Sequence, residues 1–445
     1  MLNRRQFLSR SLKASSLVAL APAVPQFLLN TAAAAEPGRD NILVVIELTG
    51  GNDGLNTVIP YGDDLYHKYR PTLRYTKDQV VKIDDYLGLH PALRPLEFLL
   101  GNGQLAIVQG IGYPNPNRSH FESMDIWQSA EVGRKLSGTG WLARGVAELQ
   151  DKDGNIPIMH LGPENLPLAL RGAASGVVSI NDKKPFRLRL DKHDRLDRND
   201  AIKFDEPVKP VEVSPEAPVD EAAKRRQKRL QLMRALAPAP QEEDPNDLLA
   251  FVQRRQIQTF DTLSKLEELL PQTESNRFRR FFNRGDLADK LDLVAELINR
   301  GFGGRVYYVT LDGFDTHSSQ AETHRDLLEK LARGISEFYD RLNGNGQSQR
   351  VVTMTFSEFG RRVDENGSQG TDHGAASCLF VAGPAVKGGP IGKHPSLSDL
   401  GDGDLKYHTD FRRLYATLLD QWLGCDSQAI LGGQFEHLEL LKVKS

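Results

Sequence analysis

Five short runs of nearly unbroken apolar residues limit the fold more than any other feature of this sequence. They are NILVVIEL (41–48), LAIVQGIG (105–112), RVYYVTL (305–311), RVVTMTF (350–356) and CLFVAGPA (378–385). Each is short for a buried helix and too apolar for a strand with one wet face, so each reads as a strand covered on both sides. Amphipathic helical patterns lie between them, as in SQAETHRDLLEKLARGISEFYDRL (319–342) and TDFRRLYATLLDQWLG (409–424). Ser319 and Glu322 have the spacing of a capping box at the first of these. The alternation predicts an α/β domain with a mostly parallel central sheet and helices on both faces. Ligands of such sheets bind beyond the carboxyl ends of the strands, which directs attention to the residues following each run.

Those residues are rich in carboxylates and imidazoles. After the first run, GGNDG brings Asp53, in a turn tight enough for close backbone approach; taken alone, Asp53 reads as a turn residue before it reads as a ligand. After the second, Arg118-Ser119-His120 stands where a loop enters a helix. Ser119 there is either a helix cap or a nucleophile toward a phosphate or sulfate ester, since a helix start favours an anion and Arg118 adds charge. His120 then serves as base or orienting group. After the third run come Asp312, Asp315 and His317; after the fourth, Glu358 and Arg361. Asp372 and His373 precede the fifth, and His408 precedes the last helix, with Asp410 and Arg412.

Carboxylate oxygen and imidazole nitrogen together suit zinc, manganese or iron, and the absence of cysteine among them argues against a closed structural zinc site. Two ions about 4 Å apart would clamp the attacking and departing oxygens of an ester displacement. The strand before Asp315 is therefore expected to stop at a shelf for metal.

Two stretches differ from this pattern. Residues 1–35 carry Arg4-Arg5 before Phe7-Leu8, a weakly apolar run and the small residues Ala32 to Ala35. That is the pattern of a twin-arginine export signal, which implies the twin-arginine machinery as partner and a periplasmic or extracellular destination. Beyond it no stretch approaches ~18 apolar residues, so the remaining domain, 36–445, is expected to be soluble. Within that domain, 182–243 is dense in charge and proline and reads as an exposed insertion with a short basic helix near 220–235, a candidate surface for a protein partner. A longer helix is expected at 246–270. The net charge of -3 gives no reason to expect nucleic acid. Cys378 and Cys425 are too few for a disulfide framework.

The motifs GGNDGLNTVIPY, NRSHFESMDIW, GFDTHSSQ, SEFGRR, DHGAAS and HTDFRRLY resemble the domain of unknown function 1501 family over nearly the whole chain after the signal. That family is similar to the alkaline phosphatase and sulfatase superfamily, which implies a mixed, mainly parallel sheet and one or two divalent ions, zinc or manganese foremost. By this resemblance Asp53, Asp372 and His373 hold one ion and Asp315, His317 and His408 the other. Glu358 sits on a further ion or behind the ligands, and Ser119 attacks. Arg118 or Arg361 steadies the anion. The implied function is an exported metal-dependent hydrolase of phosphate or sulfate esters, acting on a small anionic ester or a modified polysaccharide. The alternative is an exported binding or assembly protein that keeps the fold without catalysis.

Overall fold

The computed structural model describes residues 40–133, 136–153, 158–163, 165–172, 177–181 and 286–442. The stretch expected to be an export signal, the expected charged insertion and the helix expected at 246–270 lie outside the described residues.

In chain order the principal elements are β1 (Ile42–Thr49), β2 (Leu105–Gly112), α1 (His120–Ser129), α2 (Trp141–Asp153), β3 (Ile158–Gly162), β4 (Val177–Asn181) and α3 (Leu287–Asn299). They continue with β5 (Val306–Asp312), α4 (Gln320–Gly344), β6 (Val351–Phe356), β7 (Ser377–Ala382), β8 (Gly389–Ile391), β9 (Thr409–Asp410) and α5 (Phe411–Thr417). Among the described residues the strands form one sheet ordered β8-β2-β7-β6-β1-β5-β3-β4, with β9 also on β2. Only β7 runs antiparallel, between β2 and β6. The other pairings are parallel.

All five apolar runs are strands, and the α/β architecture with a mostly parallel sheet is as expected. The alternation of β1 explains the two-sided cover. Ile42, Val44, Ile46 and Leu48 join a core with Leu291 of α3 and Leu328, Leu331 and Ile335 of α4. Leu43 and Val45 join a second core with Trp127 of α1, Trp141 of α2 and Phe411 of α5. Full burial of side chains of this size stabilises by roughly 1.5–3 kcal/mol each. Glu47 is the exception on the second face. It accepts hydrogen bonds from Gln128 Nε2 at 2.7 Å, from Thr49 Oγ1 at 3.0 Å and from the Tyr308 hydroxyl, and burial raises its pKa. Its acceptor bond from Gln128 ties α1 to the central strand.

The capping box at α4 does not form. Ser319 takes a left-handed conformation, φ 45°, and its side chain makes no cap bond. The loop ahead of β7 does that work instead: Ser368 O accepts from Ser319 N at 3.0 Å and Gln369 O from Gln320 N at 2.9 Å. The loop carbonyl thereby takes the Ser319 N–H that the Glu322 side chain would have accepted in a capping box. Among the described residues, no helix is long and apolar enough to cross a membrane.

Candidate metal centre at the carboxyl edge of the sheet

The topology collects the polar loops. β1, β2, β5 and β6 all end at one edge, leading to Gly50, His120, Asp315 and Glu358. Because β7 is antiparallel, the chain enters it from that same edge, which brings Asp372 and His373 there as well. Crowding is severe. A Cβ on Gly50, where φ is +119°, would stand 2.4 Å from the amide nitrogen of Asp315, so only glycine lets these two loops meet.

The ligand atoms of His120, Asp315 and His373 lie within 4.8 Å of one another, and His317 adjoins two of them. His317 Nε2 lies 3.0 Å from Asp315 Oδ1, His373 Nε2 lies 3.2 Å from the same oxygen, and the two Nε2 atoms are 2.9 Å apart. His120 Nε2 is 3.5 Å from Asp315 Oδ2. Each imidazole is oriented through its other nitrogen. Nδ1 of His120 contacts Glu358 Oε1 at 2.8 Å, that of His373 the Arg118 carbonyl at 2.9 Å, and that of His317 Asp372 Oδ1 at 3.3 Å. A proton on each Nδ1, donated to those acceptors, leaves three Nε2 lone pairs facing one carboxylate.

That arrangement is electrostatically incomplete without positive charge at its centre. His120 Nε2 is buried and has no hydrogen-bond partner. A tetrahedral ion with Zn–N near 2.0–2.1 Å sets neighbouring ligand atoms about 3.3 Å apart, close to the separations seen here. The donor set of His120, Asp315 and His373 therefore fits a divalent cation, with His317 beside it against Asp315 and His373.

The supporting residues match this reading. Glu358 is fully buried and also accepts from Gly50 N and Ser357 Oγ, each at 2.9 Å. Its hydrogen bond raises the His120 pKa, while burial lowers that of His373. Asp315 is pushed up by burial, but the hydrogen bond and the charge of Arg361 outweigh this and hold it at about 2. Arg361 is itself buried and is spent on structure: it donates to Asp315 Oδ1 at 2.7 Å and to carbonyls of Gly50, Gly51, Phe314 and Thr371. It ties three loops together and is not available to steady a substrate anion.

Of the residues singled out in the sequence, Asp315, His317 and His373 meet, with Glu358 and Asp372 behind the histidines. His120 faces the same point, as a candidate ligand. Asp53 does not join them. It has no exposed surface, and its oxygens take Arg70 Nη1 at 2.6 Å, Arg70 Nη2 at 3.1 Å, Gln320 Nε2 at 2.5 Å and Asn56 N at 3.3 Å. With both oxygens engaged in a sealed ion pair, Asp53 has none to give to an ion, and the expectation of a ligand is corrected. Burial raises its pKa, Arg70 more than reverses this, and the net is about 2.

His408 also stands apart. Its Nε2 contacts the Lys393 carbonyl at 2.8 Å, and it packs so tightly on Gly110 that a Cβ there would come within 2.2 Å. With Asp53 and His408 both engaged elsewhere, the described residues supply ligands for one ion, not the expected pair of sets. Ser119 is the N-cap of α1, yet its hydroxyl makes no cap bond. The Arg118 guanidinium turns away to Asp404, with Nε 2.9 Å from Oδ2, while its carbonyl holds His373. The placement of His120 among the candidate ligands was not expected from the sequence. Its only signal was position: a histidine on the first turn of a helix that starts at the sheet edge.

Fold and site together define an α/β protein with a candidate divalent-cation centre at the carboxyl edge of its sheet. The chain belongs to the family described as protein of unknown function (DUF1501), which matches residues 40–439. Among curated proteins none matches it. Solved structures similar to it include a protein in the alkaline phosphatase superfamily from Vibrio parahaemolyticus, 8% identical with a TM-score of 0.36, over 90% of this chain and 70% of that one. The lipoteichoic acid synthase LtaP from Listeria monocytogenes is also 8% identical, with a TM-score of 0.37, over 89% of this chain and 74% of that one. Likeness of this degree carries neither substrate nor mechanism to the present chain.

Proposed function

We propose that this protein is an exported, cation-dependent hydrolase of phosphate or sulfate esters. The observation that carries the reading is the convergence of three oriented imidazole Nε2 atoms on the Asp315 carboxylate, with His120 Nε2 left unpartnered. Asp315 and His317 are roughly half exposed, so the cluster opens to solvent on the side where a substrate would arrive. The start of α1 lies beside it, and a helix N-terminus favours an anion.

When bound, a divalent ion in this cluster supplies Lewis acidity to an ester oxygen. The chain's own residues do the rest. Glu358, Asp372 and the Arg118 carbonyl fix the imidazole tautomers, which commonly governs ligand basicity and affinity. Arg361 holds the Asp315 carboxylate ionised and in place. Ser119, with its hydroxyl free of capping duty, is retained as the candidate nucleophile. Export rests on the Arg4-Arg5 pattern, and lysines at both positions should keep the protein in the cytoplasm.

A rival reading keeps the fold and one ion without turnover, as in a binding or assembly protein. It is favoured by the placement of Asp53 and His408 away from the cluster, which leaves a single set of ligands. Aryl phosphate, aryl phosphodiester and aryl sulfate substrates separate the two. The hydrolase reading expects cation-dependent release of the phenol from at least one, lost in Ser119→Ala and His317→Ala. Absence of turnover in protein carrying its full complement of metal favours the rival.

A further inference from the structure

Behind the cluster lies a sealed polar group that no step of the proposed reaction uses. Asp53, Arg70 and Gln320 all have no exposed surface. A buried ion pair such as Asp53–Arg70 adds little net stability over apolar packing, and its best attested use is to fix one arrangement among several. The partners of this group show what it fixes. Asp53 Oδ2 accepts from Gln320 Nε2 at 2.5 Å. At the other end of the same amide, Gln320 Oε1 accepts from the Thr371 hydroxyl at 2.6 Å and from the Thr316 hydroxyl at 3.1 Å. Thr316 stands between Asp315 and His317, and Thr371 lies two residues before His373. One buried oxygen therefore joins the loop that follows β5 to the loop that enters β7, and each of those loops carries a candidate ligand.

Both ends of Gln320 are determined. Its amide can point only one way, because a flip would set Oε1 against the Asp53 carboxylate. Its backbone opens α4, and its N–H goes to the Gln369 carbonyl at 2.9 Å, on the loop that also carries Thr371. Arg70 extends the tie to the stretch after Glu358: its Nε donates to the Val363 carbonyl at 2.6 Å and its Nη2 to that of Arg362 at 2.8 Å. Ligands hold a cation well only when the groups behind them keep the donor atoms close to the coordinating geometry.

We propose that Gln320 is a positioning residue for the candidate cation centre, setting the spacing of Asp315 from His373 by tying Thr316 and Thr371 to the Asp53–Arg70 pair. The inference rests on the cation centre and not on ester hydrolysis. The test compares the full chain with Gln320→Leu, Thr371→Val and Thr371→Ser. Valine keeps the shape of threonine without its hydroxyl, and serine keeps the hydroxyl without the methyl group. Zinc affinity is measured by chelator competition, and the visible spectrum of the cobalt-loaded protein reports the geometry of the centre. Near-UV circular dichroism selects folded protein, and Thr371→Val carries the test should Gln320→Leu fail to fold. The expected result is zinc binding about tenfold weaker in Gln320→Leu and Thr371→Val, with an altered cobalt spectrum, and both properties restored in Thr371→Ser. A tie that only stabilised the fold would lower the urea midpoint and leave affinity and spectrum unchanged in the folded variants, which overturns the proposal. Thr371→Ser binding as weakly as Thr371→Val also overturns it. Wild type that binds neither metal overturns the centre and the positioning role together. Ester turnover enters none of these readouts, so failure of the hydrolase reading leaves the result standing.

Discussion

Nε2 of His317 and Nε2 of His373 face each other at 2.9 Å although the residues are 56 positions apart in the chain. With the proton of each ring placed on Nδ1, toward Asp372 and the Arg118 carbonyl, the two Nε2 lone pairs would face one another and the Asp315 carboxylate. A cation between them resolves the repulsion. Each of the following outcomes tests a separate part of that account.

Glu358→Gln removes the negative charge behind His120 while keeping the shape of the side chain. Losing a carboxylate that orients a metal-bound histidine costs about 10–100-fold in affinity. Competition with a fluorescent zinc chelator should show a loss of that size. An affinity equal to wild type means His120 is not a ligand.

Asp53→Ala separates structure from coordination. Removing one partner of a buried ion pair strands the Arg70 guanidinium and destabilises by about 3–5 kcal/mol. Urea unfolding of the metal-free protein should register that loss, and the fraction that folds should still bind its cation. A folded variant that has lost the cation returns Asp53 to the ligand set.

Acid should weaken the metal-free protein earlier than carboxylate titration alone predicts. Burial pulls His324 down to about 4 and His90 down to about 3, from an ordinary 6.5. Both are therefore neutral in the native state, whereas the unfolded chain takes up protons below pH 6.5 and is favoured by acidification. Stability is full above pH 6.5 and falls as pH drops toward 4, with His324 alone contributing roughly 3 kcal/mol. Asp53 adds a further loss between its ordinary 3.8 and about 2. Urea titrations in EDTA at pH 7.5, 5.5 and 4.5 should show this slope, reduced in His324→Gln. A flat profile above pH 4.5 contradicts it.

Much of this was legible before the fold was known, because buried parallel strands write continuous apolar runs and the edge rule says where to look next. Asp315, His317, Asp372 and His373 follow from that logic. Asp53 misled for a physical reason: an acid in a glycine turn looks the same whether its partner is a metal or Arg70, 17 residues on and silent in local pattern. His408 misled because β9 joins the correct edge but its preceding histidine turns onto Gly110 of β2. β3 and β4 carry IMHLG and VVSIN, too short to stand out, and they become strands through pairing with each other and β5. Tautomers, the unpartnered His120 Nε2 and the tie that Gln320 makes between two loops are properties of three-dimensional contact, and no periodicity announces them.

The most direct test of the centre is elemental analysis of protein purified without chelator and equilibrated with zinc or manganese, set beside the His317→Ala/His373→Ala double variant. The account predicts one tightly held ion per chain in the wild type and none in the variant. A wild type that holds no ion, or a double variant that keeps the full amount, contradicts it.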